Sequence, residues 1–200
     1  MKTIKIIIIL LIAIQCKAQN PIIDISESRI GQPDGYYMKD INNYLDAFEG
    51  TYLYTNGNTS FRMLLVKKVQ QYNGRYYEDL IIGEYEYIEN GVVKANTLNQ
   101  ITTVYHNQTT HNIYGNRIVG NNFKMWQCPT CPVNEKRLFC SITDAITGRS
   151  AYITMRRTVE AGLEVMKVKI SHFTGVPIVY GQPIPPNFSL IKGEFTLIKI

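Results

Sequence analysis

Cys128-Pro129-Thr130-Cys131, with Cys140 close behind, is the densest group of reactive side chains in the chain. Such a group can do three kinds of chemistry. It can close a disulfide, the usual state in an oxidising compartment. Cys128 with Cys131, Cys131 with Cys140 and Cys128 with Cys140 are all open as pairings, each leaving one thiol free. It can exchange electrons, but a thioredoxin-like pair needs a helix N-terminus to lower the attacking thiol's pKa. Pro132 and a strand-rich setting argue against that. It can hold zinc, but His106 or His111 would have to supply a fourth ligand, and a second Cys-x-x-Cys is missing. The spacing favours a disulfide or inert thiols, and no metal is expected.

His106, His111 and His172 are the only histidines. The first two lie in a polar stretch read as an exposed loop or strand, on opposite faces if extended. Glu84 and Glu86 share one strand face, about 7 Å apart by strand rise, a separation that glycosidases use. They alternate with Tyr85 and Tyr87, so a solvated outer face is the expected place for both. The sequence holds no Gly-x-Ser-x-Gly, Walker loop, His-Glu-x-x-His or dinucleotide fingerprint. No enzyme and no cofactor is expected.

Tyrosine is the more informative residue. The chain has 14 tyrosines and 7 phenylalanines. Tyr52, Tyr54, Tyr85 and Tyr87 fall on strand positions that face one way. Inward, they are candidates to line a cavity or stack on a sugar ring, offering an apolar body and a hydroxyl tip. The plainer reading is that they fill a core.

The elements that place these residues follow from periodicity. Met38, Ile41, Tyr44, Leu45 and Phe48 recur at helical steps, predicting one short helix that Gly50 stops. Beyond Gly50 the period becomes two. Strands are predicted over 51–55, 60–69, 76–88, 92–98, 117–119, 123–127, 138–143, 151–158, 163–171 and 194–200. Asn56-Gly57, Asn90-Gly91 and Ala161-Gly162 read as hairpin turns. A proline-rich loop spans 174–189. The expectation is an all-β, antiparallel meander of about nine or ten strands, closed into a barrel or folded as a sandwich to hide its edges.

The first residues carry an address. Met1 to Lys5 is cationic, Ile6 to Ile14 is apolar, and Cys16-Lys17-Ala18-Gln19 turns polar, the pattern of a secretory signal. Two processing routes compete: cleavage after Ala18, or lipid attachment at Cys16, against which Gln15 counts. The division is then signal peptide 1–18, an N-terminal segment with the short helix over 19–49, and a barrel or sandwich over 50–200. The chain carries a net charge of +5, to which Lys2, Lys5 and Lys17 contribute. The exported part is therefore close to neutral and shows no basic stripe. Nucleic acid is not an expected partner. Membrane contact is expected only through a lipid anchor at Cys16. The expected place is the periplasm, the outer membrane surface or the exterior.

Two resemblances add to this. Phe48-Glu49-Gly50-Thr51-Tyr52 is similar to the opening of lipocalin-type barrels, Gly-x-Trp, with Tyr52 in place of the tryptophan. Asp40 to Lys68, Asn134 to Leu138 and Gly193 to Lys199 resemble a family of small exported bacterial envelope proteins, known as a domain of unknown function. That family implies envelope location and a compact β fold and transfers no catalytic residue. The expected function is non-catalytic binding of a small apolar or glycan-like ligand inside a lipocalin-like barrel. The alternative is an envelope structural or protein-interaction module without a pocket.

Overall fold

A computed structural model describes residues 20–171, 180–181, 183 and 186–200. Residues 1–19, where a signal peptide with Cys16 is expected, and His172, Pro177 and Pro185 lie outside the described residues. Eleven strands form one sheet. They are β1 (Ile22–Asp24), β2 (Tyr37–Lys39), β3 (Gly50–Asn56), β4 (Thr59–Tyr72), β5 (Tyr77–Glu89), β6 (Val92–Asn96), β7 (Ile113–Val119), β8 (Arg137–Thr143), β9 (Ser150–Glu160), β10 (Leu163–Ser171) and β11 (Gly193–Lys199).

The alternation that begins at Gly50 ends in closure. β3, β4, β5, β7, β8, β9, β10 and β11 pair in turn, each antiparallel to the next, and β11 returns to β3. This is a closed barrel of eight strands, running up and down in chain order. The hairpins fall where Asn-Gly and Ala-Gly stand: Asn90 and Ala161 hold φ of 53° and 50°, and the glycines after them are also left-handed. Pairing is long within hairpins and short at two seams. β4 and β5 pair from Ser60 with Ile88 to Tyr72 with Tyr77. β5 meets β7 only at Ile81–Gly83, and β11 meets β3 only at Ile198 with Leu53 and Lys199 with Tyr52. The rest of β5's edge carries β2, in parallel at Tyr77 and Glu78, and β6. Gly83 is required at the crossing, where a Cβ would stand 3.0 Å from the Leu64 carbonyl oxygen and 3.2 Å from the Ile113 Cβ.

The inward residues fill the barrel. Tyr52, Phe61, Met63, Leu65, Ile81, Tyr85, Ile113, Leu138, Ile142, Ile153, Met155, Met166, Val168 and Leu197 are all at most 1 % exposed and form one cluster. Both ends are sealed. At the end opposite the Asn56-Gly57 hairpin, Leu45 and Phe48 from a 3-10 turn are buried in the same cluster. There Arg157 donates to the Ala47 carbonyl and the Tyr52 hydroxyl donates to the Glu49 carbonyl at 3.1 Å. At the hairpin end the Tyr85 hydroxyl accepts from the Ala145 N–H at 2.8 Å and donates to the Thr143 carbonyl at 3.0 Å. Asp144 accepts from the Ser189 N–H and hydroxyl at 2.7 and 2.9 Å, which seats Phe188 and Leu190 in the core.

Three expectations need correction. The short helix over 38–48 does not form. Met38 belongs to β2, Asn43 is left-handed at φ 54°, and the Asp40 carboxylate takes the N–H groups of Tyr44 and Leu45 at 2.8 and 2.9 Å. Those amides satisfy themselves on a side chain rather than a helical carbonyl. Among the described residues there is no α-helix, only 3-10 turns. The strand expected over 123–127 is instead part of the loop between β7 and β8. Turns such as Trp126 N–H to the Phe123 carbonyl at 2.9 Å shape it, and Arg137, stacked 5.2 Å from the Trp126 ring and bonded to Glu135 at 2.7 Å, pins it to the barrel. Finally, Glu84 is not solvated: the 98–112 segment covers it, leaving it 0 % exposed.

Candidate ligand groove

The tyrosines proposed as cavity lining stand inside the filled barrel. Tyr52 and Tyr85 are fully enclosed and Tyr87 nearly so. Tyr85 stacks on Phe61 at 5.3 Å, and Tyr54 packs 5.2 Å from Phe195. Burial pushes the Tyr87 hydroxyl up to about 12, helped by its hydrogen bond to Glu89, so it stays a neutral phenol. None of the four lines the two open spaces described below.

The open space lies elsewhere, on the outer side of β7, β8 and β9. Gly115 holds φ at 154°, and a Cβ there would stand 2.9 Å from the Cys140 Cα. β7 can therefore lie close on β8 before the pairing shifts between Tyr114 and Arg117. Such an irregularity re-aims side chains. Asn116 turns in, to donate to Glu78 at 2.9 Å and to the Asp79 carbonyl at 2.8 Å. Arg117 turns out. Phe139 and Ser141 of β8, and Ser150 and Tyr152 of β9, alternate with the core set and face the same space.

The opposite wall comes from residues 25–30. Asp24 holds that turn by accepting from the Ser26 N–H at 2.9 Å and from its hydroxyl. Arg29 reaches across to the Asn116 side-chain oxygen and, at 3.1 Å, to the Tyr76 hydroxyl. The groove between these walls encloses about 1000 Å³. A side chamber of about 370 Å³ shares Arg29, Tyr114, Gly115 and Asn116 with it and reaches Glu78. Glu78 is buried and accepts from Asn73 and Asn116, at 2.8 and 2.9 Å.

The floor is aromatic. Phe139 packs 4.8 Å from Tyr152 and 5.1 Å from Phe123. The Arg117 guanidinium stands 5.6 Å from the Phe139 ring and 5.7 Å from the Phe123 ring. The structure thus offers flat apolar faces, hydroxyls and two cations in a single groove. Sequence reading placed Tyr152 on the strand expected over 151–158 without singling it out, and missed Arg29, Asn116, Arg117 and Phe139. Gly115-Asn116 carried a signal: a breaker pair within an otherwise strand-like run.

The reactive residues do not converge on each other, and of them only Cys140 borders this groove. Cys128 and Cys131 form a disulfide, Cα–Cα 5.3 Å, in the 120–136 loop. Cys140 is free and buried in the core, and burial pushes its thiol up. His111 is 1 % exposed, not solvated as expected: its Nδ1 is 2.8 Å from Glu84 Oε1, and its ring lies edge-on to Tyr105. Asn112 adds a 2.7 Å bond to the same carboxylate. Glu84 and Glu86 are therefore not a paired site: Glu84 holds the 98–112 segment, while Glu86 pairs with Arg62 at 3.2 Å.

Fold and groove define a class: a closed, eight-stranded up-and-down barrel, packed by its own side chains and grooved on the outside. The chain belongs to the family of unknown function DUF6705, matched over residues 1–200. No curated protein and no solved structure matches it.

Proposed function

We propose that this is an exported, non-catalytic binding protein that holds a glycan-like ligand in the outer groove. The observation that carries this reading is the exposed aromatic floor of Phe139 and Tyr152 in a groove of about 1000 Å³, rimmed by Ser26, Ser28, Ser141 and Ser150. Sugar rings present apolar faces that stack on aromatics and hydroxyls that bond to polar rims. The barrel interior is occupied by Tyr85, Phe61 and their neighbours. The cationic start followed by Ile6 to Ile14, and the disulfide between Cys128 and Cys131, support export. The test is calorimetric titration of the full chain, purified from the exported fraction, with a panel of neutral and acidic oligosaccharides. Binding to at least one class, weakened about tenfold or more by Tyr152→Ala, is expected. A panel without a binder, or a binder indifferent to Tyr152, would overturn the reading.

A second reading, a protein-interaction module, rests on a separate feature. β6 pairs only with β5 and carries Val92 and Val93, both more than half exposed. An apolar edge strand is a template for an added strand. A partner captured by the wild type and lost with Val93→Lys would favour it.

A further inference from the structure

We infer that the groove selects acidic saccharides, uronate-type rings in particular, and that Arg117 and Arg29 grip the carboxylate; this deepens the glycan reading and rests on it. Arg117 makes no hydrogen bond or ion pair to any described residue, yet it is held in place. Its guanidinium carbon lies over the Phe139 and Phe123 rings, at 5.6 and 5.7 Å. A cation held by ring faces keeps its N–H donors unused. Those donors form the fork that matches a carboxylate in a bidentate bond. The cation is thus ordered before any ligand arrives, and less freedom is lost on binding.

Arg29 adds the second charge from the opposite wall. Its partners, the Asn116 amide oxygen and the Tyr76 hydroxyl, are neutral. No carboxylate forms an ion pair with either arginine among the described residues. The acids that share the space are Glu27, on the wall, and Glu78, in the side chamber. Glu78 is screened from the groove by the amides of Asn73 and Asn116 that it accepts from. A carboxylate placed in the side chamber would meet the Glu78 carboxyl, so the ligand's own carboxylate belongs in the main groove, between Arg117 and Arg29, with its hydroxyls toward the chamber. Phe139, between the two arginines' walls, supplies the ring face over which the sugar lies. An acidic peptide would use the arginines but not the aromatic floor and serine rim, so the saccharide is the better match.

Three probes test this on the full chain by calorimetry: a galacturonic acid tetramer, the same tetramer fully methyl-esterified, and a glutamate pentapeptide. The acid tetramer is expected to bind at least tenfold tighter than its ester. Arg117→Gln and Arg29→Gln should each remove about tenfold of that affinity, close to 1.4 kcal/mol, while leaving the ester's affinity unchanged. Circular dichroism and thermal melting of both variants check that they fold like the wild type. Equal binding of acid and ester would overturn the selectivity and leave the glycan reading standing. Equal binding of the glutamate peptide would overturn the saccharide assignment. If neither tetramer nor any glycan of the wider panel binds, both readings fall.

Discussion

The inside of the barrel and the groove outside it use the same aromatic chemistry to opposite ends. Inside, Tyr85, Phe61, Tyr87 and Phe195 face one another, at 5.3 to 6.3 Å between ring centres. Their hydroxyls are tied to carbonyls, amides and the Glu89 carboxylate. Outside, Phe139 and Tyr152 present ring faces that nothing in the described chain covers completely; Tyr152 is 37 % exposed. The difference shows that aromatic content on strands does not locate a site. The proposed groove is distinguished instead by an aromatic face left open beside two arginines that form no ion pair among the described residues.

The sharpest way to break the comparison is to hollow the interior. Phe61→Ala removes a fully enclosed ring from among three others and should cost about 3–5 kcal/mol. The melting temperature should then fall by roughly 6–20 °C at this chain length. A loss under about 1 kcal/mol would show that the barrel is not tightly filled.

Asp144 comes next. It accepts from Ser189, Ile146 and Thr147, so Asp144→Asn should cost about 2 kcal/mol at neutral pH. Burial alone would raise its pKa, but the hydrogen bonds from Ser189, Thr147 and Ile146 outweigh burial and hold it below 3.8, its ordinary value. A depressed carboxylate stabilises above its unfolded value, and that stability is lost as pH falls through the folded value. The gap between wild type and Asp144→Asn should therefore be constant from neutrality down to about pH 4 and shrink below it. A gap that widens in acid would contradict this.

Removing the disulfide by Cys128→Ser with Cys131→Ser should cost less than about 2 kcal/mol, because the loop it closes is so short. Denaturant melts of the two forms measure this, and a larger loss would mean the disulfide holds the whole 120–136 loop on the barrel. Tyr152→Ala should have the smallest effect on stability, within about 0.5 kcal/mol. A loss comparable to that of Phe61→Ala would make Tyr152 a core residue and remove the contrast between the two regions.

The barrel was legible because strands repeat every second residue and hairpin turns need left-handed residues. Asn90-Gly91 and Ala161-Gly162 announce their turns for that reason. The stretch over 38–48 misled because its helical spacing is real but serves another geometry. Leu45 and Phe48 reach the core from a 3-10 turn, while Ile41 stays 54 % exposed. The Asp40 side chain, which captures two amides, decided the outcome. Periodicity also failed for Glu84. Alternation puts it on the outer face correctly, but alternation does not say that His111 and Asn112 return to cover that face. The groove was illegible for the same reason: Arg29 and Asn116 meet only after the chain has folded, 87 residues apart. Bond geometry local to either one carries no trace of the other.

The two short seams have a consequence for motion. β3 to β5 form one ladder and β7 to β11 another, each built from neighbours in sequence, and their backbones pair with each other only over the short seams at Ile81–Gly83 and at Leu53 with Ile198 and Tyr52 with Lys199. Cooperative units of this kind open separately, and long-range pairings are the slow ones to form. In hydrogen exchange, the amides of Ile113 to Gly115 should lose protection earlier than those in the middle of β4 and β9. Anything spanning Arg29 and Arg117 would act as a clasp across that parting line.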